Sequence, residues 1–401
     1  MSLDFNKTLV QMTDVVSRMK TSQNDRNLRL SLAAKIMKAT KENDLKEKLS
    51  LAKDRPFLWA NPSSELGTGH SPTELPEEYA VVAADGSHID VDRHLPVPCS
   101  LINIGTCILQ YGTHPNAHLS NYPKLYSDEG LYLTEHGTTT REVAIEGPVL
   151  GFKRTIDEVR ELEKLISEIP PTIPTLALVD GSLVLWGLSG QGYPNLVRQE
   201  FLDKGILSIL DNLKQVAQNR TISVAAYVSL PRSTEVVNAL RLYLCDTNAV
   251  ECKRSCSNRM SPFKPCDLPN ELLDRELFDI LLKPGQRSEL FFTNSSIVRE
   301  HYNGHQIYFF YINNGQEIAR IEVPDWVATN ETLVSLTHAL ILDQCYKGRG
   351  YPVSISEAHQ QAVINGSDRQ TFKDMLSSAL TRQGLPTYTS EKTRSKRLAW
   401  L

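Results

Sequence analysis

A chain of 401 residues can bury one large core or two smaller ones, and 41% hydrophobic with 22% charged residues excludes a disordered or fibrous protein. With 43 Lys plus Arg against 47 Asp plus Glu, the net charge of −4 excludes a global basic coat, so a nucleic-acid site must be a local groove. No apolar run approaches the ~18 residues that span a bilayer, and the opening "MSLDFNKTLVQMTDVV" lacks the order of a secretory signal, so a cytoplasmic protein with no membrane association is expected.

Residues 1–54 read as an N-terminal region of two charged helices, as in "NLRLSLAAKIMKATKENDLKEKLSLAK". Residues 55–78 are rich in Pro, Gly and Ser and read as a linker or surface loop. From 79 to 135, strand signals alternate with turns: "YAVVAADGS", "VPCSLINIGTCILQYG" and "EGLYLTE". A helix is predicted over about 141–168, with Ile156, Val159, Leu162, Leu165 and Ile166 at helical spacing.

The run "TLALVDGSL" then predicts a strand, followed by a helix near 195–218, the strand "TISVAAYVSL" and a helix from about 233. Residues 245–285, mixed in Cys, Pro and charge, read as an insertion or lid. Strands return in "SELFFT", "QIYFFYI" and "IARIEVP". The last hundred residues are mainly helical, and 386–401 form a basic tail. This order predicts a mixed α/β sheet flanked by helices.

Twice an apolar run ends on Asp-Gly-Ser, at Asp85 after "AVVAA" and at Asp180 after "LALV". Asp at an internal strand end faces the crevice where ligands of open α/β sheets bind. Two neighbouring carboxylates repel, and a hard divalent cation such as Mg²⁺ or Mn²⁺ is the usual remedy. A third carboxylate would complete a phosphodiester-cleaving site, and the helix between the motifs offers Asp157, Glu158 and Glu161, with Glu142 and Glu146 earlier.

Four cysteines, Cys245, Cys252, Cys256 and Cys266, lie within 22 residues and could hold Zn²⁺ or an Fe–S cluster, though their spacing lacks any C-x2-C pair. Ser229, Arg232 and Ser233, between a strand and a helix, make an anion site, with Arg232 and Ser233 as candidate phosphate contacts.

The segments "VVAADGSHIDVDRHLPVPCSLINIGTCILQYG", "KRTIDEV" with "LALVDGSL", and "GRGYPVSISEAHQQAVINGSDRQTFKDML" resemble, in order, those of the NurA nucleases. The resemblance covers about residues 79–376 and implies a nuclease domain over 79–385 with an RNase H-like fold. It further implies Mn²⁺-dependent (or Mg²⁺-dependent) 5′ to 3′ exonuclease and single-strand endonuclease activity on DNA, a homodimer, and a HerA-type hexameric ATPase as partner in end resection and double-strand break repair.

By the same resemblance Asp85 and Asp180 are metal ligands, and Glu158, four residues after Arg154, is the helical one. Tyr351 and, eight positions on, His359 match the family's C-terminal pair, with His359 as a ligand or phosphate-orienting group. The family often has Lys where this chain has Leu-Pro-Arg around Arg232. A contrasting expectation is a non-catalytic RNase H-like adaptor that binds DNA or docks on an ATPase, against which the retention of two repelling aspartates argues.

Overall fold

The structure, a computed structural model, describes residues 4–52, 57–63, 66–92, 97–135, 140–189, 192–245 and 264–385. In chain order these carry helices α1 (Phe5–Ala39) and α2 (Glu42–Ser50) and strands β1 (Ala60–Pro62), β2 (Tyr79–Ile89), β3 (Cys99–Tyr111), β4 (Asn116–Ser127), β5 (Tyr132–Glu135) and β6 (Arg141–Ala144). Helix α3 (Pro148–Glu168) and strand β7 (Thr175–Asp180) follow, then α4 (Asn195–Arg198), a π-helical stretch Gln199–Leu207, α5 (Ser208–Ala217), β8 (Ile222–Val228) and α6 (Glu235–Tyr243). The remainder is α7 (Asp274–Leu281), β9 (Phe291–Thr293), α8 (Ser296–His301), β10 (Ile307–Asn313), β11 (Ile318–Pro324), α9 (Asp325–Ala328), α10 (Glu331–Lys347), α11 (Val353–Ala362) and α12 (Gly366–Arg382).

Packing divides the chain into two compact units. The first comprises Met1–Pro72, Val228–Ser295 and Ile307–Ile321, the second Thr73–Tyr227, Ser296–Gln306 and Glu322–Leu401.

In the first unit, β1 pairs antiparallel with β9, and β9 with β10. The core gathers Leu30, Ala33 and Met37 of α1, Leu45 of α2, Leu240 of α6, Leu277 and Phe278 of α7 and Phe309 and Tyr311 of β10. The stretch expected as a linker thus contributes a strand, and α7, from the expected insertion, contributes buried apolar side chains. Asp274 is fully buried and accepts the backbone N–H groups of Val236 and Val237 at 3.1 and 2.8 Å and the Tyr311 hydroxyl at 2.8 Å. It caps α6 from another element, satisfying orphan donors of that helix.

The second unit carries the strands in the order β8-β7-β2-β3-β4. β2, β3 and β4 are antiparallel neighbours, whereas β7 runs parallel to β2 and β8 parallel to β7. Three antiparallel strands followed by two parallel ones on the far side of the first is the RNase H-like arrangement, as expected from the resemblance. β2, β7 and β8 are buried runs of Ala, Val, Leu and Ile, as central strands covered on both faces require.

Two expected boundaries differ. Arg141–Ala144 is a strand paired with β5, and the helix begins only at Pro148, after Gly147 at φ 53°. Pro at a first helical turn after a left-handed glycine is a start signal that the good helix formers before it obscure. The helix expected near 195–218 is interrupted at Gly205, whose φ and ψ of −92° and −109° are non-helical. A Cβ there would stand 3.2 Å from the Glu200 carbonyl oxygen and from Ile156, a side chain of α3.

Candidate active site

Asp85 and Asp180 come from adjacent strands. β2 and β7 pair in parallel with Ala84 opposite Val179, so the next residues, Asp85 and Asp180, are side by side. The two Asp-Gly-Ser motifs are nevertheless built differently. β2 does not stop at Asp85 but runs on to Ile89, whereas β7 ends at Asp180.

The glycines explain the difference. Gly181 takes φ 103°, a left-handed conformation that L side chains rarely adopt, and turns the chain out of the sheet. Ser182 then donates to buried Glu322 at 2.6 Å and accepts from the Val184 N–H and the Trp186 indole N–H, both at 3.0 Å, which fixes the turn below Asp180. Gly86 has no such φ. A Cβ on it would lie 2.6 Å from Glu158 Oε1 and 2.8 Å from Arg154 Cγ. It is the opening through which the α3 side chains reach the sheet.

A second glycine does the same on the opposite face. Asp85 pairs with Gly105 and Gly86 with Ile104, and successive residues of a strand point to opposite faces. A Cβ on Gly105 would meet the Ala358 carbonyl oxygen at 2.2 Å and the Ala362 nitrogen at 2.3 Å, so α11 packs directly on the backbone of β3. α3 therefore covers the Gly86 face and α11 the Gly105 face. The C-terminal end of α11 is pinned by Ser87 and Asn103, whose side chains donate to the Ala362 carbonyl at 2.5 and 2.9 Å.

This docking presents His359, whose Nδ1 is 2.6 Å from Asp85 Oδ2. The histidine is 55% exposed in its side chain and the aspartate 14%. Tyr351 reaches the site from the turn before α11 and hydrogen-bonds the Asp180 carboxylate. Its ring meets the buried Tyr227 edge-on, with centroids 5.4 Å apart. The turn needs Gly348, where a Cβ would fall 1.9 Å from the Tyr351 carbonyl oxygen, and Gly350 at φ 114°. Fully buried Gln344 accepts the Ser354 N–H at 3.2 Å and donates to the Tyr111 hydroxyl at 3.0 Å, holding the start of α11.

Glu158 is 5% exposed, and burial pushes its pKa up to about 8. The Arg154 guanidinium opposes the shift, and the Asp85 and Asp180 charges add to it. Asp180 is likewise raised, first by desolvation, against the Tyr351 hydrogen bond, with Asp85 raising it further and His359 and Arg154 lowering it. Three carboxylates from both faces of the sheet are thus coupled around Gly86.

The other acids of α3 are engaged elsewhere: Asp157 with Arg160 and the Tyr126 hydroxyl, at 3.0 and 3.2 Å, and Glu161 with Lys164 at 2.6 Å. Of the expected residues, the structure brings Asp85, Glu158, Asp180, Tyr351 and His359 together. Arg232 is exposed and belongs to the first unit, as does Ser233, which accepts from Arg320 at 3.4 Å. Cys252, Cys256 and the basic tail lie outside the described residues, and Cys245 and Cys266 are half-buried. Among the described residues, no three or more His, Cys, Asp or Glu side chains form a group arranged to hold a metal ion.

Gly86, Gly105, Arg154 and Gln344 were not singled out as site residues from the sequence. Gly105 carried a signal, since an isolated Gly inside an apolar strand marks a close backbone approach. Arg154 sits one helical turn before Glu158, a spacing shared by many ordinary surface pairs, and Gly86 and Gln344 act through elements that sequence spacing does not bring together.

Strand order and the clustered acids define the class, an RNase H-like domain with an acidic site at the junction of its first and fourth strands. The NurA domain model matches residues 79–364, and the chain belongs to the NurA family of nucleases. Among solved structures, the crystal structure of the NurA nuclease from Sulfolobus solfataricus is 11% identical with a TM-score of 0.44, covering 96% of this chain and 98% of that one. Aquifex aeolicus Argonaute is 10% identical over 75% of this chain and 29% of its own, with a TM-score of 0.27. LC9-RNase H1, a type 1 RNase H with the type 2 active-site motif, is 10% identical over 42% of this chain and 72% of its own, with a TM-score of 0.19. No curated protein sequence matches significantly. Among the described residues, no helix is long and apolar enough to cross a membrane.

Proposed function

We propose that this protein is a divalent-cation-dependent DNA nuclease, with 5′ to 3′ exonuclease and single-strand endonuclease activity, acting in the cytoplasm. In this reading it works as a homodimer with a HerA-type hexameric ATPase in DNA end resection and double-strand break repair. The observation that carries the chemistry is the register of β2 and β7, which sets Asp85 beside Asp180 with the Glu158 carboxylate coupled to both.

The oxygen-rich donor set suits a hard cation in its chemistry, although the side chains are not drawn in around one. Glu158 Oε1 is buried without a hydrogen-bond partner, and the Asp85 and Asp180 charges raise the cost of ionising Glu158, as Asp85 does for Asp180, which is what a shared divalent charge relieves. Asp85, Glu158, Asp180 and His359 are the proposed ligands, and Mn²⁺ or Mg²⁺ held there would supply water activation and charge neutralisation at the phosphate. His359 is oriented by its bond to Asp85, and its ring is open to solvent and to a bound strand. Tyr351 fixes the rotation of the Asp180 carboxylate. Arg232 and Ser233 remain proposed phosphate contacts.

The test is incubation of purified protein with 5′- and 3′-labelled single-stranded DNA in Mn²⁺, Mg²⁺ or EDTA. Products in either metal and none in EDTA are expected, with shortening from the 5′ end. Absence of products under every condition would return the chain to the adaptor reading.

A further inference from the structure

Arg154 is the α3 cation directed at the acidic cluster. Lys153 and Arg160, its neighbours on the same helix, both pair with Asp157, at 3.7 and 3.0 Å. Arg154 Nε instead lies 3.1 Å from Glu158 Oε1. At that separation neither atom has a hydrogen-bond partner, although both are buried. The contact is one of charge without a directed N–H···O bond, weaker than the forked geometry guanidinium and carboxylate adopt when free to align.

The guanidinium also has somewhere to go. Its side chain is 33% exposed, against 6% for Glu158. Its field is felt at Asp180 and His88 as well as at Glu158. Arginine does not deprotonate, so a cation entering among these carboxylates must repel it, and its planar fork matches a phosphate.

We propose that Arg154 is an internal counter-ion: it faces the Glu158 carboxylate and balances its charge whenever that group is ionised without a cation, and it transfers to a backbone phosphate of the bound nucleic acid when a divalent cation takes over the carboxylate. This rests on the nuclease reading of the site. Arg154 then couples the two binding events, because the group that leaves the cation site is the group that grips the strand. The contrasting role is an ordinary i, i+4 helix pair, which affects stability alone.

The measurement is Mg²⁺ affinity by calorimetry at pH 8.5 for the full chain, R154M and R154Q, with affinity for a labelled single strand in Ca²⁺. Removing the competing charge is expected to tighten Mg²⁺ binding about tenfold, a change of about one decade for one displaced charge at moderate effective dielectric. Strand binding in Ca²⁺ is expected to weaken at least about tenfold, as a lost charge-assisted phosphate contact requires. R154K should keep most strand affinity. If wild type binds Mg²⁺ and both variants match it in Mg²⁺ and strand affinity, the counter-ion role is overturned. If wild-type protein binds no divalent cation, the underlying nuclease reading fails instead. Melting curves accompany each variant, and a folded R154Q suffices should R154M fail to fold.

Discussion

At the scale of single residues, the site holds charge that the fold alone does not favour. Glu158 has a folded pKa of about 8 against an ordinary 4.5, so the folded state binds the proton more tightly than the unfolded one. Stability of the cation-free protein must therefore fall as pH rises from about 4.5 towards 8 and level off above it. Asp274, raised to about 6 by burial, contributes in the same direction but only below that value. Glu158→Gln is expected to flatten the slope between pH 6 and 8 and to leave only the Asp274 share below 6, as read by denaturant melts in EDTA. A second prediction concerns Gly86. Gly86→Ala places a methyl 2.6 Å from Glu158 Oε1 and 2.8 Å from Arg154 Cγ. A carboxylate displaced by about 1 Å is expected to cost roughly 100-fold in cleavage rate with a folded protein, measured by single-turnover assay.

At the scale of elements, α11 is placed by what β3 lacks. Gly105→Val would drive a branched side chain into the Ala358 carbonyl and the Ala362 amide, backbone atoms that cannot yield alone. Overpacking of this kind costs ~1–3 kcal/mol, and the expected signature is a lower denaturation midpoint together with lost activity, because His359 moves with its helix. Gln344→Ala should cost about 1–3 kcal/mol by leaving the Ser354 N–H and the Tyr111 hydroxyl short of a buried partner.

These elements also show what the sequence could disclose. "AVVAAD" and "LALVD" marked Asp85 and Asp180, because an acid closing an apolar run must have a partner in the interior. The Tyr351 and His359 pair and the choice of Glu158 came from the family resemblance, not from spacing. The roles of Gly105 and Gly86 arise where one element approaches another, and Arg154 has the i, i+4 spacing of any exposed helix pair, so local sequence gives none of the three a site signal of its own beyond an isolated strand glycine. Arg141–Ala144 favours helix locally, and pairing with β5 overrides that preference to make it a strand.

At the scale of the molecule, residues from distant parts of the chain share each unit. Nearly all of α1 before Leu30 is exposed, including Phe5, Leu9, Met12, Val16 and Met19, while Leu30, Ala33 and Met37 are buried in the first unit. Arg26 anchors the helix between these parts through Glu276 at 2.5 Å. Removal of residues 1–20 is expected to change stability by no more than roughly 1 kcal/mol, since among the described residues of that stretch none is buried, as checked by urea titration. The second unit, which carries the acidic cluster, unites α3, α11 and the strand pair β2 and β7.

The proposed chemistry depends most directly on that strand pair. Cleavage of labelled single-stranded DNA should be followed in Mn²⁺ for wild type, Asp85→Asn and Asp180→Asn, each shown to be folded by its melting curve. Both variants are expected to fold at least as stably as wild type, having lost a repelling charge, and to cut at least about 1,000-fold more slowly, the scale of a lost electrostatic group at a reacting phosphate. Either folded variant cutting at the wild-type rate would contradict the assignment of these two aspartates.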